Sequence, residues 1–175
     1  MMRRLLVPVV AITLASSVMP VEARKADPTK MTCEEFLALG ESVRPRAVAY
    51  LDGYSKGGKL KEEDVAEVDV DRQLDVLVVE CTQEPKKTLW DKVRAHLPGG
   101  SKKVTPTKMT CEEYVSLKES VRPELVYWAD GYNKAKTVQE GVAGEVDLER
   151  DVAVVYEECK QAPKESLWAK LKKHI

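Results

Sequence analysis

The chain contains one sequence pattern twice. Residues 28–97, moved forward by 78 positions, align without a gap on residues 106–175, and 34 of the 70 aligned positions are identical. Every cysteine, every proline and the one tryptophan of the first copy have a counterpart in the second copy. This is a tandem duplication, so the unit of structure is about 70 residues long.

The N-terminus has the three-part form of a secretory signal peptide. Arg3 and Arg4 precede an apolar run over residues 5–14, and a small-residue cleavage site ends at Ala23. The apolar run is too short to span a bilayer as a helix, and no later segment reaches that length. The sequence therefore predicts that residues 1–23 are a signal peptide and that the mature protein is exported, soluble and not inserted in a membrane.

Export indicates that the four cysteines form disulfides. Of the three possible pairings, the duplication selects Cys33 with Cys81 and Cys111 with Cys159, one bridge inside each copy. The CxxC and HxxxH spacings typical of zinc sites do not occur, so we expect no metal. Closing a loop of about 49 residues removes denatured-state entropy equivalent to roughly 4 kcal/mol in the chain-entropy model.

Two helices are predicted at the start of each copy. Thr32 and Glu35 have the spacing of a capping box that starts a helix at Cys33, and the second copy repeats this spacing for a helix from Cys111. Pro45 and its counterpart suit the first turn of a second helix. A glycine near the end of that helix in each copy is expected to weaken its last turn.

Two more helices are predicted further along each copy. Residues 55–67 and their counterparts are polar and contain glycine, so they read as loops. A third helix is predicted over residues 70–83 with Asp69 as its N-cap, although the β-branched run at residues 76–79 is also compatible with a strand. A fourth helix is predicted from about Pro85.

The copies are separated by residues 98–105, which begin with a Pro-Gly-Gly-Ser sequence typical of a linker. The sequence thus predicts a signal peptide at residues 1–23, a first unit at 24–97, a linker at 98–105 and a second unit at 106–175. The predicted fold is all-α: two tandem small four-helix units, each with one internal disulfide.

The residues favour neither catalysis nor nucleic-acid binding. The GxSxG, HExxH, P-loop and GxGxxG patterns do not occur, and His96 and His174 suit the last turn of a helix, where a cation interacts well with the helix dipole. Beyond Ala23 the chain has 26 basic and 28 acidic residues in mixed order, a net charge of −2, with no basic stripe. We expect no enzyme activity, no cofactor and no nucleic-acid partner.

Several segments together resemble the HdeA/HdeB family of periplasmic acid-stress chaperones. They are TCEEFLAL, VRPRAVAYLDGY, ECTQEP and WDKVRAHL in the first copy, and TCEEYVSL, VRPELVYWADGY, ECKQAP and LWAKLKKHI in the second. The resemblance implies a periplasmic all-α protein with one disulfide per unit, folded and dimeric near neutral pH. In strong acid such a protein dissociates, partly unfolds and, without ATP, holds acid-denatured periplasmic proteins out of aggregates.

The resemblance also implies a surface for clients or for dimerisation around each bridge. Because this chain carries two units, the neutral assembly is either an intramolecular pseudo-dimer or a homodimer. The apolar residues expected to form the surface are Phe36, Leu37, Leu39, Val43, Leu74, Leu77 and Val78 in the first copy, and Tyr114, Val115, Leu117, Val121, Val152, Val155 and Tyr156 in the second.

Two other functions compete with the acid chaperone. One is a constitutive periplasmic binding or inhibitor module that acts at neutral pH, with Tyr50, Tyr54, Trp128 and Tyr132 as anchors. The other is a small hydrolase, for which the sequence contains no catalytic constellation. Protection of an unrelated protein from aggregation at pH 2–3, compared with pH 7, distinguishes the chaperone from both.

Overall fold

A computed structural model of the protein describes residues 25–57, 59–65, 67–72, 74–96, 100–137 and 144–175. Within these ranges the fold is mostly helical with a few short strands, as predicted, and each copy contains its own disulfide, Cys33–Cys81 and Cys111–Cys159. The predicted signal peptide lies outside the described residues.

The elements follow the same order in both copies, and each copy is preceded by a short strand that we call its arm. The first copy has its arm β1 (Lys25–Ala26), then α1 (Cys33–Ala38), α2 (Arg44–Gly57), a 3-10 helix (Glu62–Asp64), β2 (Val68–Arg72), α3 (Asp75–Gln83) and α4 (Leu89–Ala95). The second has its arm β3 (Gly100–Val104), then α5 (Cys111–Val115), α6 (Val121–Thr137), β4 (Val146–Asp147), α7 (Ala153–Gln161) and α8 (Leu167–His174).

The predicted capping boxes are confirmed. Glu35 donates its backbone N–H to Thr32 Oγ1 at 3.2 Å, while Glu35 Oε2 accepts the Thr32 backbone N–H at 2.8 Å. Thr110 and Glu113 make the same reciprocal bonds, and the backbone bond from Thr110 lowers the pKa of Glu113. The first helix of each copy therefore begins at its cysteine, which fixes one end of each disulfide.

The predicted third helix is wrong at its start. Residues 68–72 form a strand in which Val68, Val70 and Arg72 are buried and alternate with half-buried residues, so Asp69 is a strand residue and no N-cap. The helix begins only at Asp75, and α7 begins correspondingly late. These residues are extended and not helical because they form hydrogen bonds with strand β3, about 30 residues further along the chain. Residues 76–79, by contrast, are helical.

Other boundaries also differ from the prediction. The fourth helix begins at Leu89 rather than near Pro85, because Thr88 acts as its N-cap and accepts the Asp91 backbone N–H at 3.1 Å. Helix α2 continues to Gly57 and α6 to Thr137, into segments expected to be loops. Most of the segment read as a linker is strand β3.

The two arms are exchanged between the copies. Arm β1 pairs antiparallel with β4 of the second copy, and arm β3 pairs antiparallel with β2 of the first. The registers are equivalent, since Ala26 lies opposite Val146 just as Val104 lies opposite Val68. The copies are thus joined reciprocally, in the manner of a two-fold symmetric dimer.

Each hydrophobic core contains residues of both copies. The first core, built around Cys33–Cys81, also contains Tyr127, Val146 and Leu148 from the second copy. The second core, built around Cys111–Cys159, contains from the first copy Ala49, Val65, Val68 and Val70. Because each copy completes the core of the other, separating the copies uncovers apolar surface on both sides at once.

Helices α2 and α6 form the most extensive contact between elements. Glycines permit a close approach: a Cβ atom on Gly53 would overlap the carbonyl oxygen of Trp128, and one on Gly131 would overlap that of Tyr50. Both glycines lie inside their helices, which run on past them. They were expected to weaken a last turn; instead they set the distance between the two copies.

Candidate functional site

The residues predicted to bind clients are covered in this structure and surround the two disulfides. Seven are buried: Phe36, Val43, Leu77, Tyr114, Leu117, Val121 and Val155. The other seven are half-buried: Leu37, Leu39, Leu74, Val78, Val115, Val152 and Tyr156. Each set packs into the core of its own copy. The other copy completes both cores through the contact surface between the copies, which we call the seam.

A buried ion pair lies at the centre of the seam. Asp52 Oδ2 accepts a hydrogen bond from Arg72 Nη2 at 2.7 Å, and the side chains are 0% and 1% exposed. Lys56 Nζ lies 3.0 Å from the same carboxylate. The indole Nε1 of Trp128, from the second copy, donates to Asp52 Oδ2 at 3.0 Å. A charge pair of the first copy is therefore completed by a donor of the second.

The equivalent pair in the second copy is more open. Arg150 Nη2 lies 3.1 Å from Asp130 Oδ2, and the side chains are 29% and 17% exposed. Burial raises the pKa of Asp130, an effect that Arg150 partly offsets. Tyr50 occupies the position equivalent to Trp128, and burial, with Asp130 second, raises its pKa. The two sides of the seam are related by the duplication but are chemically different.

Positions 46 and 124 are equivalent in the duplication and carry opposite charges. Glu124 is only 4% exposed and accepts backbone N–H bonds from Asp71 and Arg72. Burial raises its pKa to about 7, although Arg72 partly offsets the effect. Arg46 instead donates from Nη1 to the carbonyl oxygen of Leu148 at 3.1 Å. Each residue thus reaches across the seam to the strand segment of the other copy.

A third contact crosses the seam at its outer edge. Glu62 Oε2, from the 3-10 helix of the first copy, accepts a hydrogen bond from Trp168 Nε1 at 2.8 Å. Lys172 Nζ lies 3.4 Å from Oε2, and Lys136 Nζ lies 3.5 Å from Oε1. The hydrogen bond from Trp168, with help from the two lysines, lowers the pKa of Glu62. This contact is therefore stronger when the Glu62 carboxylate is ionised.

Trp168 lies over the aromatic side chains at the seam. Its ring centroid is 6.4 Å from that of Trp128 and 5.8 Å from that of Tyr132, and Trp128 and Tyr132 stack at 5.2 Å. Tyr132 also donates its hydroxyl to the carbonyl oxygen of Leu60 at 2.8 Å, across the seam. Helix α8, held at Glu62, therefore covers the aromatic part of the seam.

The basic last helices are attached by carboxylates within each copy. In the first copy Lys92 of α4 bonds to Glu84, which lowers the pKa of Glu84. In the second, Glu158 accepts from Lys173 at 2.7 Å and lies 2.9 Å from His174 Nε2; the bond from Lys173 is the main cause of its lowered pKa. Protonation of these carboxylates removes part of the counter-charge of the basic helices.

The lowered pKa values determine how stability changes with pH. A carboxylate whose folded pKa lies below its ordinary value of 4.5 contributes stability above that value and loses the contribution as the pH falls. Glu62, Glu84, Glu113 and Glu158 belong to this group. Glu124 has the opposite effect on stability. Because its pKa is about 7, protonation stabilises the folded state as the pH falls from neutral to about 4.5. Of these four carboxylates only Glu62 lies at the seam, so it is the Glu62 contact whose ionic contribution is lost in acid stronger than about pH 4.5.

An apolar stripe remains exposed on the first copy. Val76 and Val79 lie one helical turn apart on α3 and are 57% and 55% exposed. Their equivalents are Val154, which is 46% exposed, and Glu157. The first copy thus presents the more apolar helix face beside its disulfide.

Sequence reasoning missed the charged residues that meet at the seam, among them Asp52, Glu62, Arg72 and Glu124. Two signals were visible. Asp52 lies between residues assigned to a buried helix face, where an unpaired carboxylate is costly. Positions 46 and 124 carry opposite charges within an otherwise similar segment. Neither signal identifies the partner, which comes from elsewhere in the chain.

The fold and the seam define a class of protein: a small all-α protein of two disulfide-tied copies that complete each other's cores. Over the described ranges no helix is long and apolar enough to cross a membrane. Among the same residues no group of His, Cys, Asp and Glu side chains could hold a metal ion. The chain belongs to the HdeA/HdeB family, whose model matches residues 5–91 and 94–169.

Relatives carry the same family name. The chain is 35% identical over 97 residues to the probable acid stress chaperone HdeA of Brucella ovis, covering 51% of this chain and 84% of the relative. It is 37% identical over 70 residues to the proteins of that name from Brucella canis and Brucella abortus, covering 39% of this chain and 60% of theirs. No solved structure is significantly similar to the chain.

Proposed function

We propose that the protein is a periplasmic acid-stress chaperone, an ATP-independent holdase that opens at low pH and binds acid-denatured proteins. The observation that carries the proposal is the shared cores: the apolar residues around each disulfide are covered, and each core is completed by the other copy. Opening of the seam presents both apolar surfaces together.

Charge supports opening in strong acid. Beyond residue 23 the chain has 26 Lys and Arg residues and two histidines, so protonation of all 28 acidic residues leaves a charge of about +28. Repulsion among these charges opposes the closed state, while the same charge keeps the opened chain soluble. Below about pH 4.5 the carboxylate contacts of Glu62, Glu84 and Glu158 weaken over the same range.

The disulfides keep the exposed segments in one place. Cys33–Cys81 ties α1 to α3, and Cys111–Cys159 ties α5 to α7, so the apolar residues of each pair of helices stay adjacent after the seam opens. A contiguous apolar surface binds an unfolded client better than separated segments do, because less chain must be ordered on binding.

The experiment measures light scattering by an acid-sensitive client protein, with and without the full mature chain, at pH 2.5 and pH 7. We expect protection in acid only, and reduction of the disulfides should weaken that protection. Equal protection at both pH values, or none at either, would reject the proposal. A variant with a weakened seam, such as G131A, should protect at a higher pH than wild type, whereas the control G40A should not.

Location and boundaries form part of the same proposal. We infer that residues 1–23 are removed on export, that the mature chain resides in the periplasm, and that its units are residues 24–97 and 106–175 joined by residues 98–105. The two disulfides support an oxidising compartment. Cell fractionation with N-terminal sequencing of the mature protein tests this, and a cytoplasmic protein that keeps its first residues would contradict it.

The competing function, a binding module active at neutral pH, has less support. Its expected anchors Tyr50, Tyr54, Trp128 and Tyr132 are all at most 7% exposed and lie in the cores. They are not a free surface while the seam is closed. The exposed pair Val76 and Val79 is the feature that would suit such a module.

A further inference from the structure

We propose that the seam is heterotypic: the face of the first unit is built to pair with the face of the second unit, and neither is built to pair with a copy of itself. The copies are 34 of 70 identical, so like units could in principle form the same type of dimer. The residues that differ are placed where they prevent this. The inference concerns partner choice and does not depend on the chaperone function.

The strand segment of the first unit presents backbone donors to the seam. Asp71 adopts a left-handed conformation with φ of 58°, and the N–H groups of Asp71 and Arg72 both donate to the Glu124 carboxylate. Successive N–H groups arranged in this way form a small anion-binding concavity. The Asp71 side chain also pairs with Lys118 of the second unit at 2.9 Å, and the position equivalent to Lys118 in the first unit is Gly40.

The equivalent segment of the second unit presents backbone acceptors instead. The carbonyl oxygen of Leu148 accepts from Arg46 Nη1 at 3.1 Å. Within the second unit the carbonyl oxygens of Asp147 and Arg150 accept from the Tyr127 hydroxyl at 3.0 and 3.3 Å, which leaves the Leu148 carbonyl oxygen as the acceptor for Arg46. The Arg46 guanidinium also lies 5.8 Å from the centre of the Tyr127 ring. This segment therefore fits a hydrogen-bond donor, whereas the segment of the first unit fits an acceptor.

Pairing of two identical units would remove both sets of favourable contacts. If two first units paired, Arg46 would face the N–H groups of Asp71 and Arg72, which need an acceptor, and would lie beside the Arg72 guanidinium. If two second units paired, Glu124 would face the Leu148 carbonyl oxygen, which needs a donor. Buried mismatches of this kind are costly because a charge is left without a partner, so they exclude wrong partners.

Side-chain size adds to the preference. Tyr127 enters the first core, and its equivalent, Ala49, enters the second. Two second units would bring two tyrosines to the seam, and two first units would bring two alanines. The first combination overfills the cores and the second leaves space, and both are unfavourable.

Charge reversal in the full chain tests the proposal. R46E and E124R each break one side of the seam, so each should raise the pH at which the seam opens, by about 0.5 unit or more. R46Q and E124Q are the matched controls, because glutamine can both donate and accept. They should fold, close within their own chain and shift the opening pH far less. Equal shifts for reversals and controls would overturn the proposal.

Mixing the two reversed chains gives the decisive measurement. The first unit of E124R keeps Arg46, and the second unit of R46E keeps Glu124, so together they rebuild one wild-type seam between two chains. The other two units carry both reversals, and we expect them to stay apart. The variants, one of them labelled with 15N, are opened together in acid, returned to pH 7 and analysed by native mass spectrometry. We expect a species containing one chain of each kind in the mixture and single chains when each variant is treated alone.

The composition of the two-chain species decides between heterotypic and like pairing. Dimers of R46E alone or of E124R alone, in the amount seen in the mixture, would mean that like units pair and would overturn the proposal. Near-ultraviolet circular dichroism at pH 7 checks that each variant is folded. None of these measurements involves a client protein, so their result is independent of chaperone activity.

Discussion

Trp128 donates its indole N–H to Asp52 across the crossing of α2 and α6, with a donor–acceptor distance of 3.0 Å. The carboxylate belongs to the first copy and the indole to the second. Asp52 also binds Arg72, and all three residues are buried. This contact connects the seam to the buried Asp52–Arg72 pair. Neutralising only one member of that pair, or exposing it, costs folding free energy.

Replacing Asp52 should destabilise the closed state strongly. D52N removes the carboxylate that pairs with the buried Arg72 guanidinium, and we expect a loss of about 3–5 kcal/mol in the free energy of unfolding at pH 7, measured by urea denaturation. The matched variant is D130N in the equivalent, more exposed pair with Arg150, where about 1 kcal/mol or less is expected. Equal losses in the two variants would contradict the assignment of Asp52 to the centre of the seam.

Alanine in place of Gly131 should force the two long helices apart. The added methyl group meets the backbone carbonyl of Tyr50, which cannot move without its helix, so we expect a loss of about 1–3 kcal/mol or more. Opening should begin at a higher pH, as measured by tryptophan fluorescence. G40A is the control because its Cβ would lie 3.8 Å from Val43 Cγ2, an ordinary contact. A similar effect of both substitutions would argue against close packing at Gly131.

Replacing Glu62 should change how stability depends on pH. Its pKa is lowered by the Trp168 hydrogen bond, so its ionised form contributes stability above about pH 4.5 and none at lower pH, once it is protonated. E62Q should therefore be less stable than wild type at pH 7, and the difference should shrink as the pH falls below about 4.5. E63Q, at the exposed neighbouring position, is the control. A difference that persists unchanged in acid would show that the charge of Glu62 is unimportant.

Replacing Glu124 should have the opposite pH dependence. Its raised pKa of about 7 means that the ionised form disfavours the folded state above that pH. Glutamine keeps an acceptor for the two backbone N–H groups, so E124Q should be more stable than wild type at pH 8, by on the order of 2 kcal/mol. Near pH 5 the two proteins should be alike. Chemical denaturation at both pH values measures this, and a destabilised E124Q at pH 8 would contradict it.

Tethering should make opening independent of concentration. Two units joined in one chain pair at an effective concentration that can reach the millimolar range, far above that of an ordinary sample. The pH of opening should therefore stay constant over a hundredfold dilution, and analytical ultracentrifugation at neutral pH should show a compact single chain. A two-chain species, or a single chain with two independently moving units, would contradict intramolecular pairing.

Much of the fold follows from signals that act over a few residues. The capping box of Thr32 and Glu35 starts α1 because its two bonds lie within one helical turn. The bridge between Cys33 and Cys81 follows from the duplication and an oxidising compartment. The apolar residues near each bridge were predicted as one set, and the structure brings each set together, although their role toward clients stays a prediction.

By itself, the sequence determined two disulfide-tied helical copies, their order and the apolar residues that surround each bridge. Only the tertiary structure decided that residues 68–72 form a strand and not a helical turn, that the arms are exchanged, and that Glu62 and Glu124 reach across the seam. The reason is distance along the chain. A strand, a shared core or a buried carboxylate is stabilised by partners roughly 30 to 110 residues away along the chain. Local propensity does not depend on these partners and so cannot predict them.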